Sequence, residues 1–290
     1  MKNIAELIEL IELEDFETNI YIGQNYQAPW NRVFGGQVLA QSLSAAYKNV
    51  PADRFVHSLH AYFILAGDIA VPIHYEVDNV RDGGSFTTRR VVAKQNGKPI
   101  FITSISFQIK QEGFEHQIDM PNVLGPEGLK SDEDLVNKYK LLVPQNVLQT
   151  IKTRPFEFRP VQKMSVFDRS TKPPFKQIWF KANEKVEGGL ALHQILLTYV
   201  SDYNLLTTAT LPHVKGLLPT GLFMASLDHA MWFHRDFRID EWLLYALDSP
   251  SASNTRGFTR GNIFTQEGKL VASVVQEGLI RKAHKNGTLK

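Results

Sequence analysis

Gly35-Gly36-Gln37-Val38-Leu39-Ala40-Gln41-Ser42-Leu43-Ser44-Ala45-Ala46-Tyr47 reads as a helix opened by a glycine pair, and the same plan returns at Gly188-Gly189-Leu190-Ala191-Leu192-His193-Gln194-Ile195-Leu196-Leu197-Thr198-Tyr199-Val200. Both segments carry few charges, so each is expected to be wrapped by sheet and not to lie on a surface. Working outward, each is followed by an alternating, aromatic-rich run. In the first half this is Arg54 to Phe63, containing Ser58-Leu59-His60-Ala61; in the second it is Leu222 to Phe233, containing Ser226-Leu227-Asp228-His229-Ala230. Further on, Thr88-Arg89 precedes Gln95-Asn96-Gly97-Lys98 and the apolar run Pro99 to Phe107. Thr259-Arg260 likewise precedes Gln266-Glu267-Gly268-Lys269 and the run from Leu270. Asn-Gly and Glu-Gly between alternating apolar runs are hairpin signals. The shared order of glycine pair, helix, Ser-Leu strand and Gly-Lys hairpin makes duplication a better reading than chance similarity.

One helix enclosed by a curled antiparallel sheet, written twice, is the double hotdog plan, an α+β fold. The expected units are residues 1–115 and 156–290. Between them lies a linker, residues 116–155, with Pro, Gly and charge clusters such as Gly125-Pro126-Glu127-Gly128 and one short helix near Asp132 to Leu142.

The 290 residues hold 32 basic and 30 acidic side chains, a net charge of +2 that argues against a dedicated nucleic-acid binder. There is no cysteine, which excludes disulfides, thiolate metal sites and a cysteine nucleophile. The N-terminal run from Met1 to Phe16 places Glu among Leu and Ile at nearly every turn, so it is expected to form an amphipathic helix and not a signal peptide. No stretch approaches the roughly 18–20 apolar residues of a membrane span. The last three residues, Thr288-Leu289-Lys290, are not an SKL address, and the expected location is the cytoplasm.

No G-x-S-x-G elbow, P-loop or G-x-G-x-x-G is present. His57 and His60 are close in sequence, as are Asp228, His229 and His234, but H-E-x-x-H is missing, and core histidines are the better reading than a metal site. Asp202 follows Leu192, Ile195 and Tyr199 along one apolar stripe, near the helix C-terminus. Burial and the helix dipole would both raise its pKa toward that of a useful general base; the alternative is a helix-terminal Asp turned to water, with Asn204 sharing the work. Gln276 is an amide on the apolar face formed by Leu270, Ala272, Val274 and Ile280, and the alternative for it is a structural bond to a nearby loop. With the hydroxyl of Ser226, these side chains form a set able to hold and deprotonate one water. The N–H groups that open a helix after a glycine pair form a second set, suited to an oxyanion.

The chain closely resembles the acyl-CoA thioesterase II family, double-hotdog enzymes that hydrolyse medium- and long-chain acyl-CoA. The matching segments include Val33-Phe34-Gly35-Gly36-Gln37, His57 to Phe63, Ser201-Asp202-Tyr203-Asn204, Leu227 to His234 and Val275-Gln276-Glu277-Gly278. The resemblance implies direct hydrolysis without a covalent acyl-enzyme or a cofactor. It assigns Asp202 as base and Gln276 and Ser226 (Thr in some bacterial relatives) as orienters of the water; hotdog geometry in general suggests backbone N–H groups near Gly35, Gly36 and Gln37 as donors to the thioester carbonyl. His57, Phe63, Met224, Met231 and Trp232 are candidates for the substrate channel, with plain core as the alternative for the apolar ones. Arg89, Arg90, Arg256 and Arg260 are candidates for the CoA phosphates, with solvated hairpin cations as the alternative. Overlaying the glycine pairs sets Asn49 opposite Asp202, which implies one working site per chain. That site would pair the second half's base with the first half's helix N-terminus. A homo-oligomer, dimer or tetramer, goes with the resemblance. The rivals are a hotdog enoyl-CoA hydratase or dehydratase using Asp228-His229 as an Asp–His pair, and a non-catalytic acyl-CoA binding module.

Overall fold

The structure, a computed structural model, describes residues 3–28, 31–162, 167–216 and 221–282. The terminal Thr288-Leu289-Lys290 lies outside the described residues. The chain opens with α1 (Ile4–Ile11), where the Asn3 side chain accepts from Glu6 N–H and Ile4, Leu7 and Ile11 are buried at helical spacing. Strands β1 (Glu14–Glu17) and β2 (Ile20–Gly23) follow. Then come α2 (Gly35–Tyr47), β3 (Phe55–Phe63), β4 (Ile73–Asp82), β5 (Phe86–Gln95) and β6 (Lys98–Gln108). Asn96 and Gly97 both take positive φ (49° and 73°), the two-residue hairpin that joins β5 to β6.

The connecting stretch holds two short helices, α3 (Asp132–Lys138) and α4 (Gln145–Lys152). The first carries a Ser131/Asp134 capping box. The second was not expected. It opens at Pro144, and with α3 it buries a small cluster of its own around Val136, Val143 and Leu148.

The second half runs β7 (Phe156–Pro160), β8 (Phe175–Ala182), α5 (Leu190–Ser201), α6 (Leu205–Thr208), β9 (Leu222–Ser226), β10 (Asp228–Phe233), β11 (Leu243–Ser253), β12 (Arg256–Thr265) and β13 (Leu270–Lys282). All strands join one antiparallel sheet in the order β1-β2-β4-β5-β6-β3-β10-β13-β12-β11-β8-β7, with β9 also on β13. The two halves meet where β3 pairs with β10, His60 opposite Ala230. Inside the curl, α2 and α5 pack against each other, and every residue of α5 from His193 to Ser201 is buried. The fold is the double hotdog.

Two expected overlays are displaced: the strand pairing sets Val56, not Ser58, on Ser226 and Leu59, not His60, on His229, and the Thr-Arg pair is off by one residue. Along β5 and β12 the buried and exposed positions alternate in step only when Arg90 is set on Arg260 and Arg89 on Thr259. Among the described residues no helix is long and apolar enough to cross a membrane, and no three of His, Asp and Glu are grouped as a metal would require.

Candidate active site

Asp202 caps the C-terminus of α5. The helix ends there because Asn204, two residues on, adopts the left-handed conformation (φ 68°), which Asn tolerates better than most residues. The turn delivers the carboxylate to the N-terminus of α2. Gly36 N–H donates to Asp202 Oδ2 at 3.0 Å. This approach requires both glycines: a Cβ on Gly35 would lie 2.7 Å from Asp202 Oδ2, and one on Gly36 would lie 2.2 Å from the Tyr199 carbonyl oxygen. The carboxylate from one half therefore sits on the helix opened by the other.

Asp202 faces a cavity of about 400 Å³ and is otherwise enclosed. Val33, Phe34, Val38, Phe63, Ile100 and Phe101 supply much of its apolar wall, and Met224 and Ser226 close the side belonging to the second half. Desolvation raises the Asp202 pKa to about 6, against the Gly36 N–H and the Gln276 side chain, which both favour the ionised form. Gln276, on β13, is 1% exposed. Its amide Nε2 donates to Ser226 Oγ at 2.6 Å, and its Oε1 lies 2.9 Å from His229 Nδ1.

A bulge makes this convergence possible. On β13, Gly278 pairs with Ser226 and Val275 with Ala230, so four steps on one strand oppose three on the other. Without the extra residue, Ser226 and His229 would point to opposite faces; with it, both reach Gln276. The N–H that the bulge displaces, that of Glu277, is taken by the Asp228 carboxylate at 2.6 Å.

Asp202, Ser226, Gln276, Gly35, Phe63 and Met224 thus meet at one place, with Gly36 on the carboxylate. Other candidates do not come to it. The Gln37 side chain reaches away to Gln24 O, Asn25 and Gln41, and its N–H bonds Phe34 O. His57 bonds Ser106 near the opposite end of β3 from Phe63. Met231 is buried core, and Trp232 packs edge-on against His60. Arg89, 2% exposed, is spent on the carbonyls of Asn49, Arg81 and Thr88 and on Asp82. Arg256 pairs with Glu277, and Arg260 with Asp248. The Asp228-His229 pair required by a hydratase is not formed: the imidazole holds Ser201 and Gln276, and the carboxylate holds backbone. Arg32, over the Phe223 ring at 5.6 Å, lines the cavity and was not anticipated. Its only signal is its place just before the Val33-Phe34-Gly35-Gly36 run.

Two family profiles match, Acyl-CoA thioesterase N-terminal domain over residues 26–108 and Acyl-CoA thioesterase over residues 145–279. The chain belongs to the acyl-CoA thioesterase II family. It is 40% identical over 279 residues to Acyl-CoA thioesterase 2 of Haemophilus influenzae, covering 96% of this chain and 98% of that one. Human acyl-coenzyme A thioesterase 8 is 39% identical over 284 residues, 94% of this chain and 88% of the relative. The crystal structure of an acyl-CoA thioesterase II from Mycobacterium marinum superposes with a TM-score of 0.77 at 39% identity, covering 94% and 97% of the two chains. In this thioesterase II, the Asp202-bearing helix of the second half rests on the glycine pair of the first.

Proposed function

We propose that the chain hydrolyses medium- to long-chain acyl-CoA to free fatty acid and CoA by direct attack of a water that Asp202 deprotonates. The observation that carries this reading is the Asp202 carboxylate, held by Gly36 N–H and Gln276 beside Ser226 at the wall of an apolar cavity. A cavity of this size and character suits an acyl chain, and binding alone gives no reason to bury a carboxylate.

In the step, water oxygen bonds to the thioester carbonyl carbon while Asp202 takes its proton. Gln276 and Ser226 hold the water. The negative charge that forms on the carbonyl oxygen lies near the positive end of α2. The Gly36 N–H, engaged by the base at rest, is released toward that oxyanion as the carboxyl becomes neutral. Collapse breaks the C–S bond, and the thiolate of CoA recovers the proton from Asp202. A homo-oligomer and a cytoplasmic place of action accompany this reading, and size-exclusion chromatography with light scattering checks the former.

The test is thiol release from a panel of acyl-CoAs. Wild type releases CoA, and Asp202→Asn falls by roughly 10²- to 10⁴-fold while folded, as loss of a general base requires. The acid limb of kcat/KM lies near pH 6, because the base must be ionised to act. A fully active Asp202→Asn sinks the mechanism.

A further inference from the structure

His229 and Gln276 are both sealed from solvent, yet the chemistry above uses only the second. The imidazole stands between two groups: Nδ1 is 2.9 Å from Gln276 Oε1, and Nε2 is 3.0 Å from Ser201 Oγ. Desolvation lowers its pKa to about 4, against the Gln276 contact, so it carries a single N–H at neutral pH.

Two proton arrangements fit these distances. In the first, the Ser201 hydroxyl donates to Nε2 and Nδ1–H donates to Gln276 Oε1. The amide NH₂ is then left facing Ser226 and Asp202. In the second, Ser201 donates to the Thr198 carbonyl, 2.8 Å away, and Nε2–H donates to Ser201. Nδ1 is then a bare lone pair, and the amide must turn over to offer it a proton. That turn sets the amide oxygen against the Asp202 carboxylate in a site poor in water, where repulsion is strong. The first arrangement wins whenever the base is ionised.

We propose that His229 is a positioning residue for the hydrolysis: as the Nδ1–H tautomer it locks the Gln276 amide with its NH₂ group turned to Ser226 and Asp202. This rests on the reading of Asp202 as base. Without the lock the amide is free to turn, and the water loses a donor that aligns it. The relay starts at the last residue of α5, one position before the base, so the helix that delivers Asp202 also sets the tautomer.

The experiment has two arms. In wild type labelled with ¹⁵N-histidine, the His229 signal is the one missing from His229→Asn. Its expected pattern is a neutral Nδ1–H imidazole that does not titrate between about pH 6.5 and about pH 8.5, where Asp202 is ionised. In the kinetic arm, His229→Leu loses about 10- to 100-fold in kcat with KM within about threefold, as a mis-set orienting group costs turnover more than binding. His229→Asn, whose side-chain nitrogen stands near the place of Nδ1, returns to within about fivefold of wild type. An Nε2–H tautomer in wild type overturns the proposal, even if the variants fail to fold. So does a Leu variant with wild-type kcat, or folded Asn and Leu variants equally slow. An active Asp202→Asn would instead fell the hydrolytic reading, while the tautomer measurement still decides this one.

Discussion

Asp202 is caught between two helix ends. It caps the C-terminus of α5, whose dipole opposes its charge, and accepts from the second residue of α2, whose dipole favours it. Desolvation outweighs both donors and holds the pKa near 6, above the ordinary 3.8. The consequence for stability has a definite sign. The folded state binds this proton more tightly than the unfolded chain, so the group carries no penalty below about pH 4 and its full penalty above about pH 6. Asp202→Asn, which resembles the protonated acid, is expected to be more stable than wild type at pH 8. The ceiling is about 3 kcal/mol, from about 1.4 kcal/mol per pH unit between the two pKa values. The gain shrinks to nothing as pH falls toward 4. Thermal melts of the two proteins at pH 4.5, 6 and 8 check this, and a pH-independent difference would refute it. At Ser226 only a hydroxyl is asked for, so Ser226→Thr keeps thiol release within about threefold while Ser226→Ala loses about tenfold.

Two local devices of the chain bring these groups together, and they differ in how legible they are in sequence. The left-handed turn at Asn204 stops α5 at Asp202, and an Asn just past an apolar helical run is a recognisable stop signal. Because the conformation is what matters, Asn204→Gly is expected to keep both fold and activity. Asn204→Val strains the turn by about 1–2 kcal/mol and shifts the carboxylate, lowering kcat; equal melting temperatures and rates for the two variants would count against this. The bulge at the start of β10 is the opposite case. Strict alternation puts Ser226 and His229 on opposite faces, and nothing in Ser226-Leu227-Asp228-His229 announces an extra residue. The glycine pairs, hairpins, central helices, Asp202 and Gln276 were readable because each rests on local periodicity. The Gln276–His229 contact was not, because it depends on a register shift between strands 47 residues apart in sequence. Arg89, a candidate for the CoA phosphates with a solvated hairpin cation as the alternative, meets neither reading for a related reason: alternation turns it inward, where backbone carbonyls absorb it.

Across the whole molecule the duplication can be followed residue by residue through the strand pairing. Thr259 pairs with Gln276, and its counterpart Arg89 pairs with Ile105. Ser226 pairs with Gly278 as Val56 pairs with Phe107, and Ala230 with Val275 as His60 pairs with Ser104. The counterparts of Gln276, Ser226 and His229 are therefore Ile105, Val56 and Leu59, all buried apolar side chains. Near the end of α2, Asn49, the counterpart of Asp202, gives its side chain to Tyr21 Oη and its carbonyl to the Arg89 guanidinium, so a fixed cation stands beside that position. The first half thus lacks the amide, the hydroxyl and the imidazole together. What it retains is the glycine pair that receives Asp202. With Asp202 as the proposed base, one working site per chain is expected, and the single substitution Asp202→Asn should remove activity without leaving a residual half. Calorimetric titration with a non-hydrolysable thioether analogue of an acyl-CoA is expected to saturate at one molecule per chain. Saturation at two would mean that the first half still binds substrate behind Arg89. In that case Arg89→Ala, with Asp202 intact, would change the affinity of the second site and leave the first alone.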